Sequence, residues 1–476
     1  MAMIEDIFTP KDSDTICAVA TPNGIGAQST IKVSGSRACQ VVAAIFKPAK
    51  KEVQLTDIPP YTVTYGWVID PTNDSKIDDA LVLVMRAPHS YTGEDQVEIS
   101  YHGNPYISQI ILQLLINAGA RLAEPGEYTR RALVNGKLNL SEAEAVADVI
   151  AASNRSALRL SIAQMRGLFH KRISHLREQV LELASLVELG LDFSEEDIEI
   201  ISPHEILQRC RTIQREVQTL ATSYATSQVI KNGIPIAIVG ATNAGKSTLL
   251  NGLLGDEKAI VSDIHGTTRD AIEDTINICG QTFRLVDTAG LRDTEDVIEH
   301  IGIEKALKKA NEAELLLWVI DPAERRETNA ATLQQLQRHQ DATKIVPIVN
   351  KSDIAPREIL ELTLTWLASE RFENPLTISA KDDDDIERVK ALLHHHFETL
   401  TVADDEVMAT NIRQAIALRD ANDSLVAVER NLQEGLSGEI IAQDLRRATD
   451  TLGSVIGEVT SEDILASIFS HFCIGK

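Results

Sequence analysis

The sequence predicts a multidomain chain: an α+β N-terminal domain, then an all-α helical domain, with a doubly wound α/β domain inserted into the latter. Three observations carry this. Residues 1 to about 135 hold strand-like runs punctuated by Gly and Pro. Residues from about 140 to 227, and again from about 408, space their apolar side chains by three and four. Between these helical blocks, short apolar strands alternate with helical stretches. The expected domains are therefore 1–135, 136–230, 231–398 and 399–476, the second and fourth being halves of one helical domain. Insertion is the economical arrangement, because domain termini often lie close together.

Each element has its own signal. "TICAVA", "STIKVSG", "TVTYGWVID", "DALVLVMRA" and "DQVEISYHG" read as strands. "SQIILQLLINAG" reads as a helix ending on Gly119. "LSEAEAVADVIAAS" opens the helical block, with Ser141 and Glu144 spaced as a capping box. In the α/β block, "IPIAIV", "FRLVD", "ELLLWVI", "KIVPIV" and "PLTIS" are the strands. "NIRQAIALRDANDSLVAVERNLQ" returns to helix.

Composition narrows the class. Over 476 residues, 43% are hydrophobic and 24% charged, as in globular chains, while only 4% are aromatic. Cores must then rest on Leu, Ile, Val and Ala. No apolar run approaches the roughly 20 residues that span a bilayer, and the acidic N-terminus lacks a secretory pattern. A cytoplasmic protein with no membrane partner is expected. The five cysteines (Cys17, Cys39, Cys210, Cys279 and Cys473) are scattered without a CxxC, which argues against disulfides and zinc. A net charge of −24 opposes broad nonspecific nucleic-acid binding but leaves room for a local basic patch.

The strand "IPIAIV" runs into "GATNAGKST" and then the helix "STLLNGLLG". Gly240, Gly245, Lys246 and Ser247 fit G-x-x-x-x-G-K-[ST] in its required strand–helix context. Glycines let backbone N–H groups converge on phosphates, Lys246 adds a positive charge, and the Ser247 hydroxyl can ligate Mg²⁺. "DTAG" (Asp287, Thr288, Ala289, Gly290) follows "FRLV" and can hold the Mg²⁺ shell and the γ-phosphate. "NKSD" (Asn350, Lys351, Ser352, Asp353) follows "IVPIV"; Asp353 can accept from guanine N1–H and the 2-amino group, donors that adenine lacks. "SAK" (Ser379, Ala380, Lys381) can add a backbone N–H to the guanine carbonyl. The four motifs in order define a Ras-like P-loop GTPase domain. The GTP-binding set is Asn243, Ala244, Gly245, Lys246, Ser247 and Thr248 with these three segments and the switch loop Ser262, Asp263, Ile264, His265, Gly266, Thr267 and Thr268. Either of the two threonines can complete the Mg²⁺ shell.

Leu291 stands where many GTPases place a glutamine after DxxG to orient water. Another group must supply that function. Glu295, Asp296 and Glu299 are candidates, and so is a monovalent cation held by Asn243 and the oxygen-rich "SDIHGT" loop.

"GATNAGKST", "SDIHGTTRD", "DTAGLRDTED", "NKSD" and the terminal "FCIGK", together with "SYTGEDQVEISYHG" and "PGEYTRRALVNGKLNLSEAEAVADVI", resemble the MnmE (TrmE) family of tRNA modification GTPases over essentially the whole chain. The resemblance implies a folate-binding N-terminal domain that dimerises, a helical domain and an inserted G domain. It implies a homodimer that works with an FAD-dependent partner, MnmG (GidA), in a heterotetramer or larger complex. Together they would add a carboxymethylaminomethyl or aminomethyl group to C5 of the wobble uridine of tRNA, with 5,10-methylenetetrahydrofolate supplying the carbon and 5-formyltetrahydrofolate serving as an analogue. By motif, K⁺ would be held by Asn243, Ser262, Ile264 and Thr267, and Mg²⁺ by Ser247 and Thr268. Glu299, in "VIEHIG", resembles the water-orienting glutamate. The folate residues fall on Lys32, Glu98, Lys137 and Lys476. Lys32 departs from the family's arginine, and "NGIGAQST" lacks its Gly-Arg-Gly-Gly, so a planar bidentate contact is lost there. The tail would bring Cys473 to the one-carbon chemistry as nucleophile or acid/base. The plainer reading is a tail packed only for stability.

Other features have plainer readings too. Arg155, Arg159, Arg166, His170 and Arg177 are spaced to line one face of a single helix, a candidate surface for tRNA phosphates. "DFSEEDIEI" and Asp382 to Asp385 read as solvated loops and helix starts, and His394, His395 and His396 point apart and read as structural. The rival function is a GTP-gated RNA or ribosome-assembly switch without modification chemistry. Such a switch usually carries a basic RNA-binding module, and this acidic chain shows none.

Overall fold

The computed structural model describes residues 14–50, 52, 54–192, 201–255, 275–286, 313–339, 344–372, 374–398, 403, 405–457, 465, 468–469, 472 and 475. In chain order the elements are β1 (Ile16–Val19), β2 (Ser29–Ser34), α1 (Ala38–Ala43), β3 (Phe46–Pro48), β4 (Thr62–Asp70), β5 (Ser75–Met85), β6 (Gln96–Tyr101), α2 (Pro105–Asn117), β7 (Arg121–Leu122), α3 (Glu127–Val134), α4 (Leu140–Ala151), α5 (Arg155–Met165), α6 (Leu168–Asp192) and α7 (Pro203–Asn232). There follow β8 (Ile234–Gly240), α8 (Lys246–Leu254), β9 (Thr275–Ile278), β10 (Gln281–Val286), β11 (Leu315–Ile320), α9 (Arg326–His339), β12 (Ile345–Val349), α10 (Arg357–Ser369), β13 (Leu376–Thr377), α11 (Asp383–His396), α12 (Ile412–Gln433) and α13 (Gly438–Ile456). The chain divides into two compact units. One comprises Met1–Ile150, Ile162–Gln218 and Ile416–Lys476, the other Ala151–Ser161 and Thr219–Ala415.

In the first unit a seven-stranded sheet runs in the order β3-β4-β5-β6-β2-β1-β7. It is antiparallel except for the β1–β7 pair. Alternation along β2 and β6 sends Ile31, Val33, Val97 and Ile99 into a core with Val82, Val84, Ile111 and Leu115, all fully buried. The opposite face carries Lys32 and Glu98, which are directly paired across the strands. α2 starts on the Asn104 cap, whose side chain accepts from Tyr106 N at 2.8 Å.

The capping box of α4 sits two residues earlier than the Ser141–Glu144 spacing suggests. Asn139 and Glu142 bond reciprocally, each side chain to the other's backbone N–H at 2.9 Å, while Ser141 is turned into the core. Nor do the basic residues from 155 to 177 share one helix. Arg166 N and Gly167 N close α5 onto Ile162 and Gln164, and Gly167 takes φ +75°. Arg155 and Arg159 therefore lie on α5, Arg166 in the turn, and His170 and Arg177 on α6. α13 lies along α6, with Gly438 beneath Leu191 and an Arg446–Glu188 ion pair at 2.6 Å. α12 is tied to α7 through Gln214–Asn422 (2.8 Å) and Arg211–Glu429 (2.6 Å).

In the second unit a six-stranded sheet runs β13-β12-β11-β8-β10-β9, parallel save for the β9 edge. β8, β11 and β12 are apolar on both faces and almost wholly buried, as in a sheet covered on both sides. One core joins β8, β10 and β11 to α8 and α11; the other packs Trp318 against Trp366 and Phe372, with Leu333 and Leu336 of α9. β8 lies between β10 and β11, so the strand order reverses there. Ligands of such sheets bind beyond the carboxyl ends of the strands at that point. The short acidic run begins α11: Asp382 caps it, accepting from Asp384 N at 3.0 Å, and Asp385 accepts from Ser379 N at 2.7 Å. The histidines close its last turn, and His394 Nδ1 sits 3.4 Å from Gln281 Oε1. Cys17, Cys39 and Cys210 are buried free thiols, whereas Cys279 is an exposed turn residue.

Candidate functional site

The strand–loop–helix signal of "GATNAGKST" folds as read. β8 ends on Gly240, and α8 begins at Lys246 directly after Gly245, which holds φ +97°. The two glycines are there for space as much as for dihedral freedom. A Cβ on Gly240 would run into Val319 O, and one on Gly245 into Asn350 Nδ2. Asn243 also takes a left-handed conformation, at φ +65°, and is exposed with Ser247 and Thr248, while Ala244 is fully buried. Lys246 curls back over the loop and donates to Gly240 O (2.9 Å) and Ala241 O (2.7 Å). Burial pushes its ammonium pKa down, so a phosphate would find a lysine already held by weaker acceptors.

Asn350 ties three segments of this site together. It is 2% exposed. Its Nδ2 donates to Ala244 O at 2.8 Å, and its Oδ1 accepts from Ala380 N at 2.9 Å. Its own N–H bonds Ile320 O, and Ser352 N bonds Ile378 O. The loop after β8, the "NKSD" segment after β12 and the "SAK" segment after β13 are thus one hydrogen-bonded unit at the carboxyl edge of the sheet. Asp353 and Lys381 stand exposed there, and Ser379 is buried. Lys351, at φ +62°, turns its ammonium onto Asp321 at 2.7 Å. Asp321 ends "ELLLWVID"; no nucleotide motif includes it, and its sequence signal is only an acidic residue closing an apolar strand.

A second group of residues gathers in the first unit. Lys32 on β2 faces Glu98 on β6, and its ammonium lies 6.0 Å from the Tyr91 ring centroid. Gln96 Nε2 donates to Glu98 Oε1 at 3.2 Å, and Lys137 Nζ to Pro88 O at 3.1 Å. Lys32 and Lys137 therefore both approach residues 88–94. A buried charge network fixes this loop. Glu127, 1% exposed, takes Arg121 at 2.6 Å and Arg131 at 2.9 Å, and Arg131 passes on to Glu94 at 3.1 Å. Glu94 in turn accepts from Ser34 at 2.8 Å. Burial works against a charged Glu127, yet the Arg121 bonds, the Glu124 N–H and Arg131 prevail and hold its pKa down at about 2. Tyr91, braced by Thr129 at 2.9 Å, joins this group from inside "SYTGEDQ", where nothing in the spacing marks it.

The tail packs within the same unit. Phe469 is buried with Leu140, Ala143 and Leu465, and its ring lies 5.2 Å from that of Phe472. Gly126, at φ +66° before α3, makes room for the Phe469 ring and the Phe472 Cβ, and Gly475 presses on Val19 and Ala20 at the end of β1. Ser262, Asp263, Ile264, His265, Gly266, Thr267, Thr268, Asp287, Thr288, Ala289, Gly290, Leu291, Glu295, Asp296, Glu299, Cys473 and Lys476 lie outside the described residues, as does the acidic run from 193 to 200. Among the described residues no cluster of three or more His, Cys, Asp or Glu could hold a metal, and no helix is long and apolar enough to cross a membrane.

Sheet order, the glycine loop between β8 and α8, and the joined segments after β12 and β13 define a P-loop GTPase domain. Family models agree with the rest of the chain: the MnmE helical domain matches residues 140–473, and the N-terminus of the GTP-binding protein TrmE matches residues 15–137. The chain is 45% identical over 471 residues to the tRNA modification GTPase MnmE of Bacteroides fragilis strain YCH46, covering 98% of this chain and 100% of the relative. It is 44% identical over 463 residues to that of Parabacteroides distasonis, covering 97% and 100%. The chain belongs to the MnmE family of tRNA modification GTPases. Among solved structures, Era in complex with MgGDPNP and 16S ribosomal RNA shares 26% identity over 40% of this chain and 66% of its own, at a TM-score of 0.27, from which nothing further follows.

Proposed function

We propose that this GTP hydrolase is potassium-stimulated and acts as a homodimer with an FAD-dependent MnmG (GidA) partner, in a heterotetramer or larger complex. Together they install the carboxymethylaminomethyl or aminomethyl group on the wobble uridine of tRNA with a carbon from reduced folate. The observation that carries the nucleotide half is the Asn350 bridge. It holds the base-side segments against a loop whose glycines leave room for phosphates. In this reading the backbone N–H groups from Asn243 to Thr248 cradle the phosphates, Lys246 exchanges its carbonyl partners for phosphate oxygens, and Asp353 selects guanine. Ser247 and Thr268 would hold Mg²⁺, and Asn243, Ser262, Ile264 and Thr267 would hold K⁺. When bound, these cations neutralise charge that develops between the β- and γ-phosphates. Glu299 orients water in place of the glutamine that Leu291 displaces.

Lys32, Glu98 and Lys137 support the folate half. They supply two cations and a carboxylate, with Lys32 over the Tyr91 ring, Glu98 opposite Lys32 and Lys137 on Pro88 O, a set suited to a flat heteroaromatic ligand with a glutamate tail. Gly475, seated on β1 beside the Lys32 strand, supports a tail that delivers Cys473 and Lys476 to the same place. The solvent face of β4 and β5 supports the homodimer. Tyr61 (63% exposed), Val63 (58%), Tyr65 (48%) and Leu81 (43%) form an apolar strip that a second copy would cover. The cytoplasm is the matching compartment.

A reconstituted reaction tests the whole. GTP turnover and modified uridine are measured with the FAD-dependent partner in KCl and in NaCl at equal ionic strength, with and without reduced folate. Faster turnover in KCl and product only with folate are expected. Equal rates in both salts would remove the cation mechanism, and product without folate would remove the carbon donor.

A further inference from the structure

We propose that Asp321 is a positioning residue for nucleotide binding, acting through Lys351. The inference rests on reading Asn350 to Asp353 as the base-side segment. β11 and β12 are parallel neighbours, with Ile320 opposite Val349, so Asp321 and Lys351 leave adjacent strand ends. The Asp321 carboxylate is fixed at both oxygens. Oδ1 accepts from Ala323 N at 2.9 Å, and Oδ2 takes the Lys351 ammonium at 2.7 Å. Lys351 is fixed in turn through its backbone. It holds φ +62°, and its carbonyl accepts from Ile354 N and Ala355 N at 3.2 and 3.1 Å. It follows directly on Asn350, which reaches into the loop after β8.

A lysine has a long, freely rotating stem. Pinning it only when ligand arrives would subtract side-chain entropy from binding. The ion pair orders the stem beforehand. Both partners are partly exposed (29% and 18%), so the pair contributes little to the stability of the fold itself. Its effect should appear in nucleotide affinity rather than in melting. Because the base is common to GTP and GDP, binding of both should weaken alike, which raises KM and leaves kcat nearly alone.

The experiment compares wild type, Asp321→Ala, Asp321→Asn, Lys351→Met and the double variant Asp321→Ala with Lys351→Met. Dissociation constants for fluorescent GDP and a non-hydrolysable GTP analogue are measured, with GTPase kinetics and melting temperatures. Asp321→Ala should weaken both nucleotides by a few-fold to about tenfold, the range for immobilising one long, freely rotating side chain on binding. KM should rise with the dissociation constants while kcat stays within twofold. Asp321→Asn, which keeps an acceptor, should recover most of the loss. In the Lys351→Met background the Asp321 change should add nothing. The proposal is overturned if Asp321→Ala binds like wild type while Lys351→Met does not, or if the two losses multiply. Unchanged binding by Lys351→Met overturns both the base-side reading and the proposal. Should Asp321→Ala fail to fold, Asp321→Ser repeats the comparison.

Discussion

Replacing Asn350 with alanine removes both side-chain bonds that join the loop after β8 to the segment after β13. The partners stay behind in places water reaches poorly: Ala244 is 0% exposed and Ala380 7%. A buried donor or acceptor left unmatched costs about 1–3 kcal/mol. Two such groups bound the cost at about 2–6 kcal/mol, and partial relaxation of two surface-facing loops brings it toward about 3 kcal/mol. On the proposed reading, in which the joined segments hold the nucleotide, the cost falls on affinity. About 3 kcal/mol corresponds to a rise in Kd of roughly 150-fold. Stopped-flow titration with fluorescent GDP measures that directly. Hydrogen exchange at the Ala380 amide, which loses its acceptor, reports the cause independently. A Kd within threefold of wild type, with the Ala380 amide still protected, would show that the bridge does not organise the site.

The acid limb of stability should depend on Glu127. Its pKa is depressed from the ordinary 4.5 to about 2, so its contribution is present above pH 4.5 and lost as pH falls toward 2. A shift of that size is on the order of 3 kcal/mol, and acid-unfolding curves followed by circular dichroism should lose this limb in Glu127→Gln. Gly245→Ala should weaken GDP at least tenfold, since the added Cβ meets Asn350 Nδ2 at a φ that alanine resists; near-normal binding would mean the loop is softer than drawn. Calorimetry with 5-formyltetrahydrofolate should show binding to the full chain that weakens in Lys137→Ala and in a chain ending at Phe472. Equal binding by all three would detach the folate from this surface.

Much of the architecture was legible because burial leaves periodic traces. The strands of the first sheet were readable from alternation along "STIKVSG" and "DQVEISYHG", and those of the second from short apolar runs such as "ELLLWVI". β3 escaped because three residues, one of them proline, carry no period. The break at Gly167 escaped because helical spacing continues through it, and only the left-handed dihedral ends α5. The capping box was misplaced because asparagine caps as well as serine, and two overlapping spacings were available. At the site, the loop after β8 and the segments after β12 and β13 were each readable as a strand end on their own. That Asn350 fastens one motif to two others was not, because the bonds cross 106 and 30 residues of chain. The pairing of Lys32 with Glu98, and the approach of Tyr91, likewise depend on strand register, which is set by nonlocal packing.

The seat of Phe469 on Leu140 and Ala143 has a consequence for biosynthesis. These partners are 329 positions apart (469 − 140). At roughly 5–20 residues per second, the ribosome exposes the receiving surface on the order of 20 to 70 s before the tail exists. During that interval the nascent N-terminal portion carries an apolar notch that nothing yet occupies. A transcript cut short, or a chain nicked before position 465, would keep the notch open. The fold therefore marks its own unfinished copies with the kind of surface that chaperones and proteases bind.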